Sequence, residues 1–229
     1  MRKIAWVFWK QCKDSKKNPM IIILFVFFPI MSCILTQTVA KSTEKLSDSY
    51  FAVLFATIFV GLIPTITMAS TIAEEKERNT LRVLIMSNVK PMEYLCGIGL
   101  QVLLFCMVGI FLFGFVGDYS GRELLFFLLS LLIGVITSLF LGAAIGMAAN
   151  NQMAANGMAV PFGVVSAFLP MIAGFSTSFE KASRFLYTQQ INYLLKDLSL
   201  ENFTVERFVI IFINVVIFIV LFWGMYRKK

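Results

Sequence analysis

The chain contains no histidine, and no Asp, Glu, Lys or Arg falls within six long apolar runs that occupy more than half of its length. The runs are Met20–Ala40, Tyr50–Ile72, Tyr94–Val116, Leu124–Ala149, Gly157–Phe175 and Phe208–Tyr226, each of at least 19 residues. At about 1.5 Å rise per residue, a helix of that length crosses a hydrocarbon core of about 30 Å. With no ionisable group at depth there is no proton relay, gating charge or ion-coupling carboxylate. Intramembrane metalloenzymes and aspartyl proteases need His, Asp or Glu near the bilayer, and Ser or Thr alone lacks a base. Charge rings and a short Gly-rich filter segment are also missing, which argues against a channel. Cysteine is scarce: Cys12, Cys33, Cys96 and Cys106 all fall outside the predicted outer loops. Neither disulfides nor a metal site are expected, and small apolar packing residues are the simpler reading.

What the chain does have is apolar bulk. Hydrophobic residues make up 59% of it and charged ones 14%, so a soluble form would have too little polar surface to stay dissolved. The pattern predicts an all-α polytopic membrane protein, one transmembrane domain over residues 1–229. The net charge of +7 would suit a nucleic-acid binder, yet its placement reads as topology. One side would hold the N-terminus, the Ala73–Glu93 loop, the Asn150–Asn156 loop and the C-terminus. That side carries 13 of the 20 Lys/Arg but 5 of the 13 acidic residues. The positive-inside bias places both termini in the cytoplasm, and no nucleic-acid partner is expected.

Residues 1–18 suggest an interfacial elbow helix. On a helical wheel Arg2, Lys3, Lys10, Lys13, Lys16 and Lys17 share one arc, and Ile4, Val7, Phe8 and Cys12 the other, with Trp9 at the border. A plain topogenic N-terminus is the alternative. Asn18-Pro19 supplies a cap and a first helical position. The run Met20–Ala40 exceeds the usual length of a signal-peptide core, about 7–15 residues, and reads as an uncleaved first span.

The second run holds Thr57, Thr65, Thr67, Ser70 and Thr71, with Pro64 as a candidate kink. In the fourth, Ser138, Gly142 and Gly146 recur every four residues, which lets two helix backbones approach closely. The partner helix is open at this point, in the same chain or in another subunit. The fifth run contains Gly157, Pro161, Gly163, Pro170 and Gly174, so kinks or a break are expected near both ends. Residues 176–207 form the longest external connection and open on Thr177-Ser-Phe-Glu180, a capping box. Two short amphipathic helices, resting on or dipping into the outer leaflet, are predicted there.

The inner loop from Ile72 to Gly97 reads IAEEKERNTLRVLIMSNVKPMEYLCG and is the densest charge cluster in the chain. A helical extension to Arg78, a turn at Asn79 and a short helix over Thr80–Met86 are predicted. Either the apolar residues of that helix dock on a partner protein, or the loop is solvated and merely marks the membrane edge. The run Glu75-Lys-Glu-Arg-Asn-Thr-Leu81 resembles the loop of ABC-2-type transporter permeases, in which EKE-x-G-T-L leads into a coupling helix. Asn79 stands where Gly is usual, and Asn is the next most tolerant residue of a left-handed backbone. The elbow helix, the span count, the Asn150-Asn-Gln-Met153 loop and the outer helical pair extend the resemblance over nearly the whole chain.

The resemblance implies an exporter-type half-transporter energised by two separate ATPase subunits, working with a second permease copy or a paralogue in a bacterial plasma membrane. No G-x-x-x-x-G-K-[ST] phosphate-binding loop occurs, so ATP and Mg would reside on the partner and no cofactor on this chain. It assigns coupling to Glu75, Glu77, Arg78, Thr80, Leu81 and Leu84, with Lys76→Ala expected to be mild. An uncharged, Phe- and Met-rich interior suits hydrophobic or amphipathic cargo such as an antimicrobial peptide, a lipid or a lipophilic drug. Candidate path residues are Phe55, Phe59, Thr65, Phe162, Phe168 and Met171. The alternative function is a non-transporting sensor or scaffold within an ATPase complex.

Overall fold

Backbone polar groups in a bilayer find no water, so a spanning segment must satisfy them internally, and a helix does so residue by residue. The computed structural model describes residues 2–15, 19–40, 47, 49–80, 86 and 91–227. Among these residues the regular structure is helical throughout. The elements are α1 (Arg2–Ser15), α2 (Pro19–Leu35) with a π-helical extension (Thr36–Ala40), α3 (Tyr50–Glu77), α4 (Pro91–Val116) and α5 (Gly121–Ala148). They continue with α6 (Gln152–Ala173), α7 (Thr177–Ser183), α8 (Tyr187–Lys196), a 3₁₀ turn (Leu200–Asn202) and α9 (Val205–Arg227). Six are long and apolar enough to cross a membrane: α2 with its extension, α3, α4, α5, α6 and α9. The chain is an all-α, multi-pass membrane protein.

Helix α3 is the centre of the bundle and touches α2, α4, α5, α6 and α8. It packs most extensively on α5 and α6, and the small-residue stripe of α5 pairs with it within the chain. A Cβ added at Gly142 would lie 2.5 Å from the Thr65 carbonyl oxygen, and one at Gly146 would lie 2.8 Å from that of Ala69. On another side Gly61 admits α6, with the Ala167 backbone nitrogen 2.8 Å from where a Cβ would sit. Without a hydrophobic drive between helices in lipid, such close contact is what holds them together.

Pro64 lies inside α3 and has no N–H to give the Val60 carbonyl. Ser138 of α5 supplies the donor instead, its Oγ 2.6 Å from the Val60 oxygen. The Tyr187 hydroxyl stands 2.8 Å from Ser138 Oγ and can donate to it, which ties α8 to the same point. Asn192 of α8 donates to Thr57 Oγ1 at 3.0 Å. Of the two short helices predicted on the outer leaflet, α7 is largely exposed, whereas α8 is inserted among α3, α5, α6 and α9. Its polar residues Thr188, Gln189, Gln190 and Asn192 are buried alongside Ile191, Leu194 and Leu195.

Helix α6 departs most from the sequence reading. Helix α6 starts at Gln152 rather than Gly157, because Asn151 caps it, its Oδ1 accepting from the Ala154 N–H at 2.8 Å. It also runs unbroken through Pro161 and Pro170 to Ala173. The packing of Ala167 against Gly61 holds the stretch between those prolines on α3.

The α3–α5 contact yields a contrast that can be measured. Gly142→Ala drives a methyl into a backbone oxygen and should lower thermal stability, since overpacking costs about 1–3 kcal/mol. Gly99→Ala on α4 meets open space and should be neutral or gain about 1 kcal/mol from helix propensity. Unfolding of both variants in detergent, followed by Trp fluorescence, checks the order.

Candidate functional site: the charged cluster at the end of α3

Helix α3 leaves the apolar core at Ile72 and ends in Glu74-Glu-Lys-Glu77, a quarter-turn apart from residue to residue. Three consecutive side chains therefore point in three directions, and each meets a different element. Glu75 is buried and accepts from Lys10 Nζ at 2.7 Å on each carboxylate oxygen and from Gln11 Nε2 at 2.8 Å, both on α1. Thr80 Oγ1 adds a further donor to the carboxylate and also reaches the Glu75 carbonyl oxygen at 2.9 Å. Lys76 Nζ donates to the carbonyls of Gly146 at 3.2 Å, Met147 at 2.8 Å and Ala149, closing the C-terminal end of α5. Glu77 Oε2 accepts from the Gln152 N–H at 3.0 Å, at the first turn of α6. Both contacts have the sign that helix termini favour, a cation on free carbonyls and an anion on free N–H groups.

The chain turns sharply after this cluster. Arg78 pairs with Glu74 at 2.7 Å, and Asn79 takes the left-handed conformation, φ 57°. The turn expected at the position where Gly is usual therefore forms with Asn. Of the coupling residues, Glu75, Glu77, Arg78 and Thr80 lie together here. Leu81 and Leu84, and with them most of the Thr80–Met86 helix, lie outside the described residues.

Lys10, Gln11, Lys76 and Gln152 complete the cluster and were not among the predicted site residues. Gln11 carries the readable signal, a polar side chain facing the arc of α1 that rests on α4. That arc centres on Val7, which fills the space left by Gly97, where a Cβ would lie 2.6 Å from Val7 Cγ1. Lys76 was expected to matter little; as the cap of α5 it has a structural task. Buried Gln11 had no partner visible in the sequence, because Glu75 is 64 residues away.

The six candidate path residues fall into two groups. Phe59 is fully buried, its ring 6.3 Å from Phe25 and 5.6 Å from Phe113. Phe55 packs 6.4 Å from Phe28, and buried Thr65 bonds back to the Gly61 carbonyl at 3.1 Å. These three are packed between helices. Phe162, Phe168 and Met171 are exposed on α6, with Val160, Val165 and Ile172 beside them. They form an uncharged apolar face that the single chain leaves open.

The family model described as "ABC-2 family transporter protein" matches residues 10–227, almost the entire chain. No curated protein matches.

The Glu75 ion pair generates a second contrast. Lys10→Ala leaves a buried carboxylate without its cation, and charge-assisted bonds of this kind are worth about 1.5–3 kcal/mol. Lys13, exposed on the same helix, should tolerate Ala within about 0.5 kcal/mol. Thermal unfolding of the two variants side by side reads the difference.

Proposed function

The chain belongs to the ABC-2 transporter family, and on that premise we propose that it is the membrane-spanning subunit of an ATP-driven exporter in a bacterial plasma membrane. Its partners are two ATPase subunits, which hold ATP and Mg, and a second copy of this chain or a paralogue. The ATPases dock on the face bearing Glu75, Lys76 and Glu77, with both termini on that cytoplasmic side. The observation that carries the reading is that these three side chains fasten α1, α5 and α6 to the end of α3. A push on the chain just after Arg78 is thereby delivered to four helices at once. Packed contacts transmit such a displacement because they shift between discrete arrangements and do not stretch.

Cargo of a hydrophobic or amphipathic kind fits the open face of α6. Phe162, Phe168 and Met171 present aromatic and thioether surface without a formal charge, which suits an antimicrobial peptide, a lipid or a lipophilic drug. Phe55, Phe59 and Thr65 are packed between helices and would reach cargo only if those helices part. Export of an antimicrobial peptide, and so protection from it, is the favoured case. A sensor or scaffold role differs in one respect: no compound would then raise the ATPase rate of the complex.

Purification of the native complex, followed by a screen for compounds that stimulate its ATPase activity, tests the proposal. Within that assay Leu81→Asp and Leu84→Asp should release the ATPase or uncouple it, since burying one Leu is worth about 1.5–3 kcal/mol, or roughly tenfold or more in association. Lys76→Ala should lower stability through the end of α5 yet leave ATPase association largely intact. Retention and stimulation unchanged in both Asp variants would contradict the assignment of the loop.

A further inference from the structure

At the opposite end of the bundle, α7, α8 and the first turn of α9 enclose a cavity of about 380 Å³. Among its lining side chains are Glu180, Lys181, Arg184, Tyr193, Glu206 and Arg207. Arg184 is taken up by Glu206 at 2.5 Å, and the Tyr193 hydroxyl donates to Glu180 at 2.9 Å. Arg207 lies over the Tyr193 ring, 5.0 Å from its centroid, and its Nη1 has no hydrogen-bond partner among the described residues. Lys181 makes no ion pair among them either. Three cations face two carboxylates, so the lining carries one net positive charge, with Lys181 exposed and the buried Nη1 of Arg207 left without a partner among the described residues. Gln190, itself buried, bonds the Arg184 carbonyl at 2.5 Å and fixes the floor.

The surroundings say which kind of anion. Phe179, Phe185 and Val205 adjoin lining residues in sequence and are all exposed. The apolar body of α9 begins immediately after Arg207. A charged pocket with exposed apolar side chains next to it, at the end of a spanning helix, matches an amphiphile with a phosphate at its head. We propose that this cavity binds the phosphodiester headgroup of an anionic lipid from the adjacent leaflet, with Arg207 and Lys181 on the phosphate and Phe185 and Val205 against the acyl chains. The proposal holds whether or not the chain transports anything.

The test uses the full chain in nanodiscs of equimolar phosphatidylglycerol and phosphatidylcholine, with the lipids retained after release counted by native mass spectrometry. A basic residue near a membrane surface favours an anionic lipid by about fivefold. The unmodified chain should therefore retain phosphatidylglycerol about fivefold or more over phosphatidylcholine. The double variant Lys181→Gln/Arg207→Gln should fall to near parity, Arg207→Lys should keep the preference, and Glu180→Gln should raise it. No preference in the unmodified chain overturns the proposal, as does a preference unchanged in a well-folded, monodisperse double variant. Displacement of the lipid by millimolar inorganic phosphate would overturn the lipid assignment and identify a site for soluble phosphate.

Discussion

The contact of α3 with α5, backbone against backbone at Gly142 and Gly146 and joined by Ser138, is the interaction on which the other features rest. Lipid offers apolar side chains no reason to prefer protein neighbours, so helices associate where they fit closely and satisfy polar groups. Here both conditions are met along one seam. Gly142 and Gly146 let the backbones touch, and Ser138 repairs the hydrogen bond that Pro64 removes. The same hydroxyl holds Tyr187 and with it the inserted helix α8. At the far end of the seam, Lys76 reaches the last carbonyls of α5 because Gly146 has already brought the two helices together.

That dependence gives the cluster at the end of α3 its meaning. A salt bridge in isolation would be a surface ornament, and exposed pairs contribute about 0–1 kcal/mol. Glu75 is different because its carboxylate is buried and shared by donors from α1 and from the turn at Thr80. Losing one donor strands a charge, so the geometry around it is held more firmly than the charges alone would suggest.

Much of this was legible in the sequence and some was not, for physical reasons. The six spans follow from run length, and the left-handed turn at Asn79 from the tolerance of that residue. The stripe on the fourth run announced close packing, though its partner could be found only in three dimensions. Three members of the cluster were hidden because Lys10, Gln11 and Gln152 lie 64 to 75 residues from the carboxylates they meet. Of the kinks or break expected in α6 from its prolines, the break does not occur, since a neighbour can hold a helix together where local propensity would end it. The burial of α8 was only partly visible: an amphipathic helix was expected there, but nothing local marks Thr188, Gln189, Gln190 and Asn192 for burial among other helices.

The central claim is that the ends of α1, α3, α5 and α6 move as one block when the ATPase acts. Spin labels at Trp9→Cys on α1 and Met153→Cys on α6, both exposed positions, in a cysteine-free chain report on it by pulsed electron paramagnetic resonance. Distances would be compared between the nucleotide-free complex and the complex trapped with ATP. The account predicts an unchanged distance between the two labels of one chain, while, in the proposed pair of copies, the distance between their Met153 labels shifts. A clear change in the Trp9–Met153 distance within one chain, with the distance between copies fixed, would contradict it.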